Sequence, residues 1–371
     1  MAASVHARLR ASYFLGLDLE TSLLHIVFQW FNMARALDKE TIISLQNDNL
    51  PVIYRDIVSA LCSDKLQLLE IELLGKSHPL PAGTNVLVEG NNIAIPKTTL
   101  VQAFVVARRI FFNLVRNCPV EKRQDLWNAS AVVLLMDPEH ITAANARKRL
   151  IQSYQEGPKA ELETVLGNEL VFVDSYLTSR LHRHTKSPTL WGHRRWLLEV
   201  YQSANMEHNI VQDLKTTVLI AAERHPKNYY AWSHMRWLIQ MFGVEGETDS
   251  EIVSLVKDWC LRHPADTSGF SFLLFYLSRS ASSEHAPQTE ASTRVCKEVL
   301  DLAVSFKWTH ESVWVFLRSL VASGDVTEDQ KTSFSKSIDT ILAANSYSSR
   351  TQSIIQGARE WCEKYQQKPC S

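Results

Sequence analysis

A block of eight residues recurs along this chain. Leu190-Trp191-Gly192-His193-Arg194-Arg195-Trp196-Leu197 aligns without a gap on Ala231-Trp232-Ser233-His234-Met235-Arg236-Trp237-Leu238, 41 residues further on. Val313-Trp314-Val315-Phe316-Leu317-Arg318-Ser319-Leu320 keeps the tryptophan, the arginine four places later and a leucine, at 82 residues from the second copy, twice the period. That interval predicts a hidden copy near residue 273. Phe270 supplies it, standing six residues after Pro264 as Trp232 stands six after Pro226. Upstream, Asp137-Pro138 followed by Ala144 to Leu150 gives a decayed first copy, with Asn145 at the tryptophan position. A fixed period restricts the fold more than composition does, because each copy must be one supersecondary unit that buries its apolar face on its neighbours.

Each copy carries helix-start chemistry. Ser187 stands where an N-cap belongs and Pro188 at the first helical position, where a missing N–H costs nothing. Asn228 repeats the cap 41 residues later. Between copies, Ile210 to Glu223 and Glu251 to Arg262 return apolar residues at helical spacing. Each unit therefore reads as a helix pair, and the fold class as all-α: an α-solenoid, a crescent of helical hairpins. Glycine usage agrees, since 12 glycines in 371 residues is about half the usual ~7% and too few for many tight turns.

The chain divides into three regions. Residues 1–120 hold N-terminal helices, at 20–37, 52–74 and Val101 to Val115, around an irregular segment at 79–96 that contains Gly83, Gly90 and the β-leaning Val86-Leu87-Val88. Residues 121–325 hold about five repeats, around Asn145, Trp191, Trp232, Phe270 and Trp314. Residues 326–371 add C-terminal helices and a tail that frays after Glu363. Ser278 to Glu290, rich in Ser, Ala and Glu with Pro287, reads as a linker.

A balance of 39 Lys+Arg against 40 Asp+Glu excludes a chain built throughout as a basic nucleic-acid binder. Six cysteines, scattered singly with no C-x-x-C pair, read as reduced thiols and give no zinc framework. No apolar run approaches the ~18 residues of a membrane span. Met1 to Gly16 lacks the long apolar core of a secretory signal, and Cys370 stands two places from the end rather than at a CaaX position. A cytoplasmic protein is expected.

The repeats resemble those of protein prenyltransferase α subunits, whose pattern is a Pro-Lys-Asn-Tyr-like lead-in followed by Trp-x-His-Arg-Arg-x-Leu. Pro226-Lys227-Asn228-Tyr229-Tyr230-Ala231-Trp232-Ser233-His234 is a close match. The variant lead-ins Lys186-Ser187-Pro188 and Asp266-Thr267-Ser268-Gly269-Phe270, with Val86 to Gly90, look most like the divergent group of protein prenyltransferase α-subunit repeat-containing proteins. The resemblance implies a transferase subunit, inactive alone. Its crescent would wrap a β subunit that holds the catalytic zinc and most of the isoprenoid and peptide pocket, so no cofactor or metal is expected in this chain. Geranylgeranyl transfer to a protein cysteine is the activity favoured, and a Rab-type geranylgeranyltransferase β subunit the partner. The rival is a helical-repeat scaffold that kept the fold, lost transferase work and binds other proteins.

In that family the lysine of the lead-in reaches the diphosphate of the isoprenoid donor, which makes Lys186 the candidate catalytic residue here. A lysine just ahead of a helix N-terminus adds a full charge to N–H groups that already favour anions, and a departing diphosphate develops charge such a group stabilises. Pro188 departs from the family's tyrosine. Lys227, Tyr229 and Tyr230 are the candidates facing substrate or partner. Recurrence with the period assigns Trp191, Trp196, Trp232, Trp237, Phe270 and Trp314 to hairpin packing. It assigns Arg195, Arg236 and Arg318 to bridging neighbouring helix pairs. Arg180 to Arg195 carries five Lys/Arg and three histidines without an acid, which is a solvated basic face or the anion site. His182, His184 and His193 lack the cysteine or carboxylate that zinc spacing requires, and no nucleophile motif occurs.

Overall fold

A computed structural model describes residue 45 and residues 49–365, except 63–66, 76, 79, 82, 245, 280–285 and 344–347. The helix read at residues 20–37 lies outside the described residues.

The repeats fold as helix pairs. The helices that carry the recurring block are α4 (Ile141–Gln152), α6 (Pro188–Ser203), α8 (Tyr229–Phe242), α10 (Thr267–Ser278) and α12 (Glu311–Ala322). Each packs against the next, α4 on α6, α6 on α8, α8 on α10 and α10 on α12. Interleaved with them run α5 (Lys159–Thr178), α7 (210–224), α9 (Glu247–Arg262) and α11 (Ala286–Ser305). Helix α7 is continuous from Ile210–Asp213 through a π-helical Leu214–Val218 to Leu219–Arg224. Helices α13 (Glu328–Ala343) and α14 (Ser349–Tyr365) close the C-terminal end, α14 lying on α12. The architecture is an all-α helical-repeat solenoid.

The caps fix the register. His140, Ser187, Asn228 and Asp266 each accept a hydrogen bond at the N-terminus of α4, α6, α8 and α10, and His310 holds the equivalent place before α12. Four residues after each cap comes the same buried core position, filled by Ala144, Trp191, Trp232, Phe270 and Trp314. The tryptophan position of the first copy is therefore Ala144 and not Asn145, which is exposed. Aligning the sequence on Asn145 slips the register by one residue because no large side chain marks the site.

Ahead of the repeats, α1 (Leu50–Leu61), α2 (Lys97–Leu114) and α3 (Arg123–Met136) pack together beside a small sheet. The sheet corrects the reading of residues 52–74 as one helix. The helix stops at Leu61, and Glu70–Leu74 is strand β1. Glu70-Ile71-Glu72-Leu73 alternates polar and apolar, a period of two that suits a strand. The segment read as irregular supplies β2 (Leu87–Glu89) and β3 (Asn92–Pro96). The order is β1-β3-β2, with β1 parallel and β2 antiparallel to β3. Gly90, at a φ of 60°, makes the tight turn between β2 and β3. The outer edge of β1 is sealed by α5, since Ile71 N–H donates to Ser179 Oγ at 2.8 Å and Leu69 N–H to Ser175 Oγ at 2.9 Å.

The linker read at Ser278 to Glu290 is shorter in the structure, because α11 already begins at Ala286 and takes Pro287 into its first turn. Among the described residues, no helix is long and apolar enough to cross a membrane.

Candidate functional site

The turns that lead into the repeat helices are tied to one another by the caps themselves. Ser187 Oγ accepts from Leu190 N–H at 3.1 Å and donates to the Pro138 carbonyl, in the turn before α4, at 3.0 Å. Asn228 Oδ1 accepts from Ala231 N–H while its Nδ2 donates to the Thr185 carbonyl at 2.7 Å. Asp266 accepts the Ser268 and Gly269 N–H groups on one oxygen, each at 2.9 Å, and the Lys227 N–H on the other at 2.5 Å. Ser312 donates to the Pro264 carbonyl. Ser187, Asn228 and Asp266 thus each serve their own helix and clamp the preceding turn, and Ser312 clamps the turn before α10, so the turns stack in register along one edge.

Lys186 and Lys227 stand immediately before the caps of adjacent copies, and both are exposed. Neither ammonium forms an ion pair among the described residues. Lys227 has a left-handed backbone, φ 59°, uncommon for a side chain with a Cβ. Its N–H bond to Asp266 holds it there. Tyr229 and Tyr230 follow, 68% and 37% exposed, with their rings edge to face at 5.7 Å. The acids of this edge are already engaged: Glu70 by Arg180 and Arg224, Asp137 by Arg183, Glu223 by His263. An uncompensated positive edge of this kind can hold an anion with several oxygens.

Behind the edge lies a layer of buried charge. Seven residues after the caps of α4 and α6 come Arg147 and Arg194, both fully buried. Arg147 binds Glu169 through two bonds of 2.7 and 2.6 Å, and His193 Nε2 meets the same carboxylate at 2.6 Å. Burial pushes the Glu169 carboxyl up, but Arg147 and His193 outweigh it and hold it below the usual range. Arg194 is gripped by Asp174 at 2.6 and 3.1 Å and by Asp213 at 2.7 Å twice, and it donates to His234 Nε2 at 2.8 Å. Burial raises the Asp213 carboxyl, and Arg194 with His208 more than reverses this, so it stays well below the ordinary value. His234 is kept neutral by burial and by Arg194.

One residue further along each helix a ladder of cations stacks on the aromatic ring of the next copy, or, for the last copy, of α14. Lys148 lies over Trp196, Arg195 over Trp237, Arg236 over Phe275 and Arg318 over Trp361. Arg195 also reaches Ser233 Oγ at 3.1 Å, and Arg236 reaches Ser271 Oγ at 3.0 Å. Trp191, Trp232, Phe270 and Trp314 lie inside the core. The three histidines of the basic segment diverge. His184 Nε2 donates to the Leu134 and Leu135 carbonyls at 3.1 and 3.0 Å, His193 goes to Glu169, and His182 faces His225.

Sequence reasoning missed Arg147, Arg194 and their acids, and it missed His225. A signal for the last exists: Arg224-His225-Pro226 recurs as Arg262-His263-Pro264 just ahead of two successive caps.

The family described as ECM9 middle domain matches residues 190–299. Protein prenyltransferase alpha subunit repeat-containing protein 1 of Danio rerio is 35% identical over 81 residues, 22% of this chain and 16% of that protein. The 1-B protein of Xenopus laevis is 32% identical over 101 residues, 27% of this chain and 19% of its own length. The matched segments thus span under a fifth of these relatives. Over that stretch the chain is similar to protein prenyltransferase alpha subunit repeat-containing proteins, the group its lead-in and tryptophan pattern resembles.

Proposed function

We propose that this chain acts as the α-type subunit of a heterodimeric protein prenyltransferase, supporting a catalytic β subunit in geranylgeranyl transfer to a protein cysteine. The observation that carries the reading is the stacked edge on which Lys186, Lys227, Tyr229 and Tyr230 lie exposed, with both ammonium groups unpaired among the described residues. The names of the similar proteins support it. In this reading Lys186 meets the donor's diphosphate, Tyr229 and Tyr230 contact the partner or the isoprenoid, and the β subunit brings the zinc. A Rab-type geranylgeranyltransferase β subunit is the first partner to offer.

One observation favours a second reading, a non-catalytic scaffold. Pro188 occupies on the Lys186 copy the place Tyr229 holds on the next, so that copy presents no aromatic ring beside its lysine. Co-expression with prenyltransferase β subunits separates the two. A one-to-one complex that transfers geranylgeranyl from its diphosphate to a cysteine-bearing protein is expected. A chain that ignores every β subunit offered, yet retains other proteins, supports the scaffold.

A further inference from the structure

The five helices that carry the recurring block share one exposure pattern. In α4, α6, α8, α10 and α12 the positions three, four, six, seven, ten and eleven residues after the cap are buried without exception. Those one, five, eight and nine residues after it are exposed or half-buried in all five. Each helix therefore shows solvent a single stripe, and because each packs on the next the stripes join into one continuous face.

The charge of that face is one-sided. Its twenty positions hold Lys148, Arg149, Arg195, Arg236 and Arg318 against one acid, Glu311, with Glu199 bordering it a turn further along α6. Lys148 lies 5.3 Å over Trp196, Arg195 5.7 Å over Trp237, and Arg236 and Arg318 each 4.4 Å over Phe275 and Trp361. Arg195 and Arg236 bond only hydroxyl and carbonyl oxygens of the next helix. No carboxylate bonds any of the four stacked cations among the described residues. Burial lowers the Arg195 and Arg236 pKa values, as it does for guanidinium groups desolvated without an adjacent counter-charge. The ladder breaks once, between α10 and α12, where Leu274 replaces the cation and Ser319 the ring. Its unbroken run is Lys148, Arg195 and Arg236.

We infer that this run docks an acidic amphipathic helix of a partner protein, laid across the repeats with carboxylates on Lys148, Arg195 and Arg236 and apolar side chains between them on Trp196 and Trp237. The spacing selects a helix. Packed helix axes lie about 8–10 Å apart, and an α-helix advances about 10 Å in seven residues and returns to the same face. An extended chain covers that step in about three residues and turns the third side chain to the opposite side. The inference does not rest on Lys186 meeting a diphosphate, and it goes beyond both functional readings by naming what the partner must present.

Fluorescence anisotropy of the full chain with labelled synthetic peptides tests it. One peptide is helix-forming, with glutamate at every seventh position and leucines between. A second has the same composition with glutamate at every third position, and a third carries lysine in place of glutamate. The first should bind at micromolar concentration and the other two should not. Arg195→Gln and Arg236→Gln should each weaken it about fivefold or more, while Lys215→Gln, on the outer helix α7 and paired with Glu251, leaves it unchanged. Arg195→Glu should regain affinity for a peptide whose middle glutamate is changed to lysine, which a chain that had merely misfolded would not do. Three results would overturn the inference: no binding of the first peptide at tens of micromolar, equal binding of the first two, or full affinity retained in both glutamine variants. Tighter arginine-dependent binding of a single-stranded RNA than of the acidic helix would also overturn it.

Discussion

Asn228 and Thr185 are joined by a 2.7 Å hydrogen bond from side-chain amide to backbone carbonyl, across the boundary between two repeats. The same Asn228 caps its own helix through Ala231 N–H and donates a further bond to the Ala221 carbonyl. Because Thr185 precedes Lys186 and Asn228 follows Lys227, this contact sets how the two lysines lie relative to each other. Asn228→Ala removes a cap and leaves two carbonyls without that donor, at a cost of about 2–3 kcal/mol. Denaturant unfolding should show this loss, while Asn228→Asp, which keeps the cap acceptor but not the donor, should recover only part of it. Equal stability in the Ala variant and the parent would refute the clamp.

The buried and exposed cations of the repeat should differ sharply in worth. Arg194→Met strands Asp174 and Asp213 together in the interior, and removing one partner of a buried ion cluster costs about 3–5 kcal/mol. Lys148→Met gives up one cation stacked on the half-buried Trp196, worth about 0.5–1 kcal/mol. Thermal melts of the two variants would rank them, and a comparable loss in both would show that the Arg194 cluster is solvated.

Acid should weaken the fold before the carboxylates titrate. Burial outweighs the hydrogen bonds that His184 makes to Leu134 and Leu135 and lowers its pKa from 6.5 to about 4. The unfolded chain therefore binds a proton near 6.5 that the folded chain refuses. Stability from this group is complete above that value and is lost as pH falls towards 4, to a limit of about 3 kcal/mol. His193 and His234 are shifted the same way and add to the slope. His184→Gln, with a donor but no titration, should flatten the dependence of the urea midpoint between pH 7 and 5. An unchanged slope would mean His184 is protonated in the native state.

What the sequence made legible was local. The 41-residue period, the caps at Ser187 and Asn228 and the buried tryptophans all rest on residues a few places apart on one helix. Arg194 did not stand out, because the acids that define its role lie on α5 and α7, 20 residues before and 19 after it, with no fixed spacing to betray them. Strand β1 was hidden for the same reason: its pairing partner is Asn92–Pro96, and a five-residue strand makes little mark on a helical background. The first repeat slipped by one place because Ala144 fills a site that tryptophan fills elsewhere.

Two helical glycines make opposite predictions. A Cβ on Gly269 would lie 2.6 Å from Trp259 Cζ3 and 3.2 Å from Cys260 Sγ, so the absence of a side chain lets α10 approach α9. Gly269→Ala should destabilise by about 1–3 kcal/mol, as overpacking does. Gly192 meets nothing within 4 Å, so Gly192→Ala should gain up to about 1 kcal/mol from helix propensity alone. Matched denaturation curves decide both signs, and a neutral Gly269→Ala would show that the Trp259 ring moves aside freely.

Lys186→Ala separates the proposed chemistry from the packing. The side chain is exposed and touches no repeat core, so the variant should fold, assemble with a β subunit and melt like the parent. If the ammonium stabilises the departing diphosphate, single-turnover transfer should slow by about 10²-fold or more while donor affinity changes little, the effect of removing one preorganised electrostatic group. If it only attracts the donor, affinity should fall and the chemical step should survive. Lys227→Ala is the internal comparison, since that lysine has the same place one repeat later but a backbone fixed in the left-handed region by Asp266. It should act more weakly if the Lys186 copy alone faces the donor, and equally if the anion spans both turns. Unchanged rate and affinity in both variants would return the edge to the status of a solvated basic face, and the scaffold reading would then account for the exposed tyrosines.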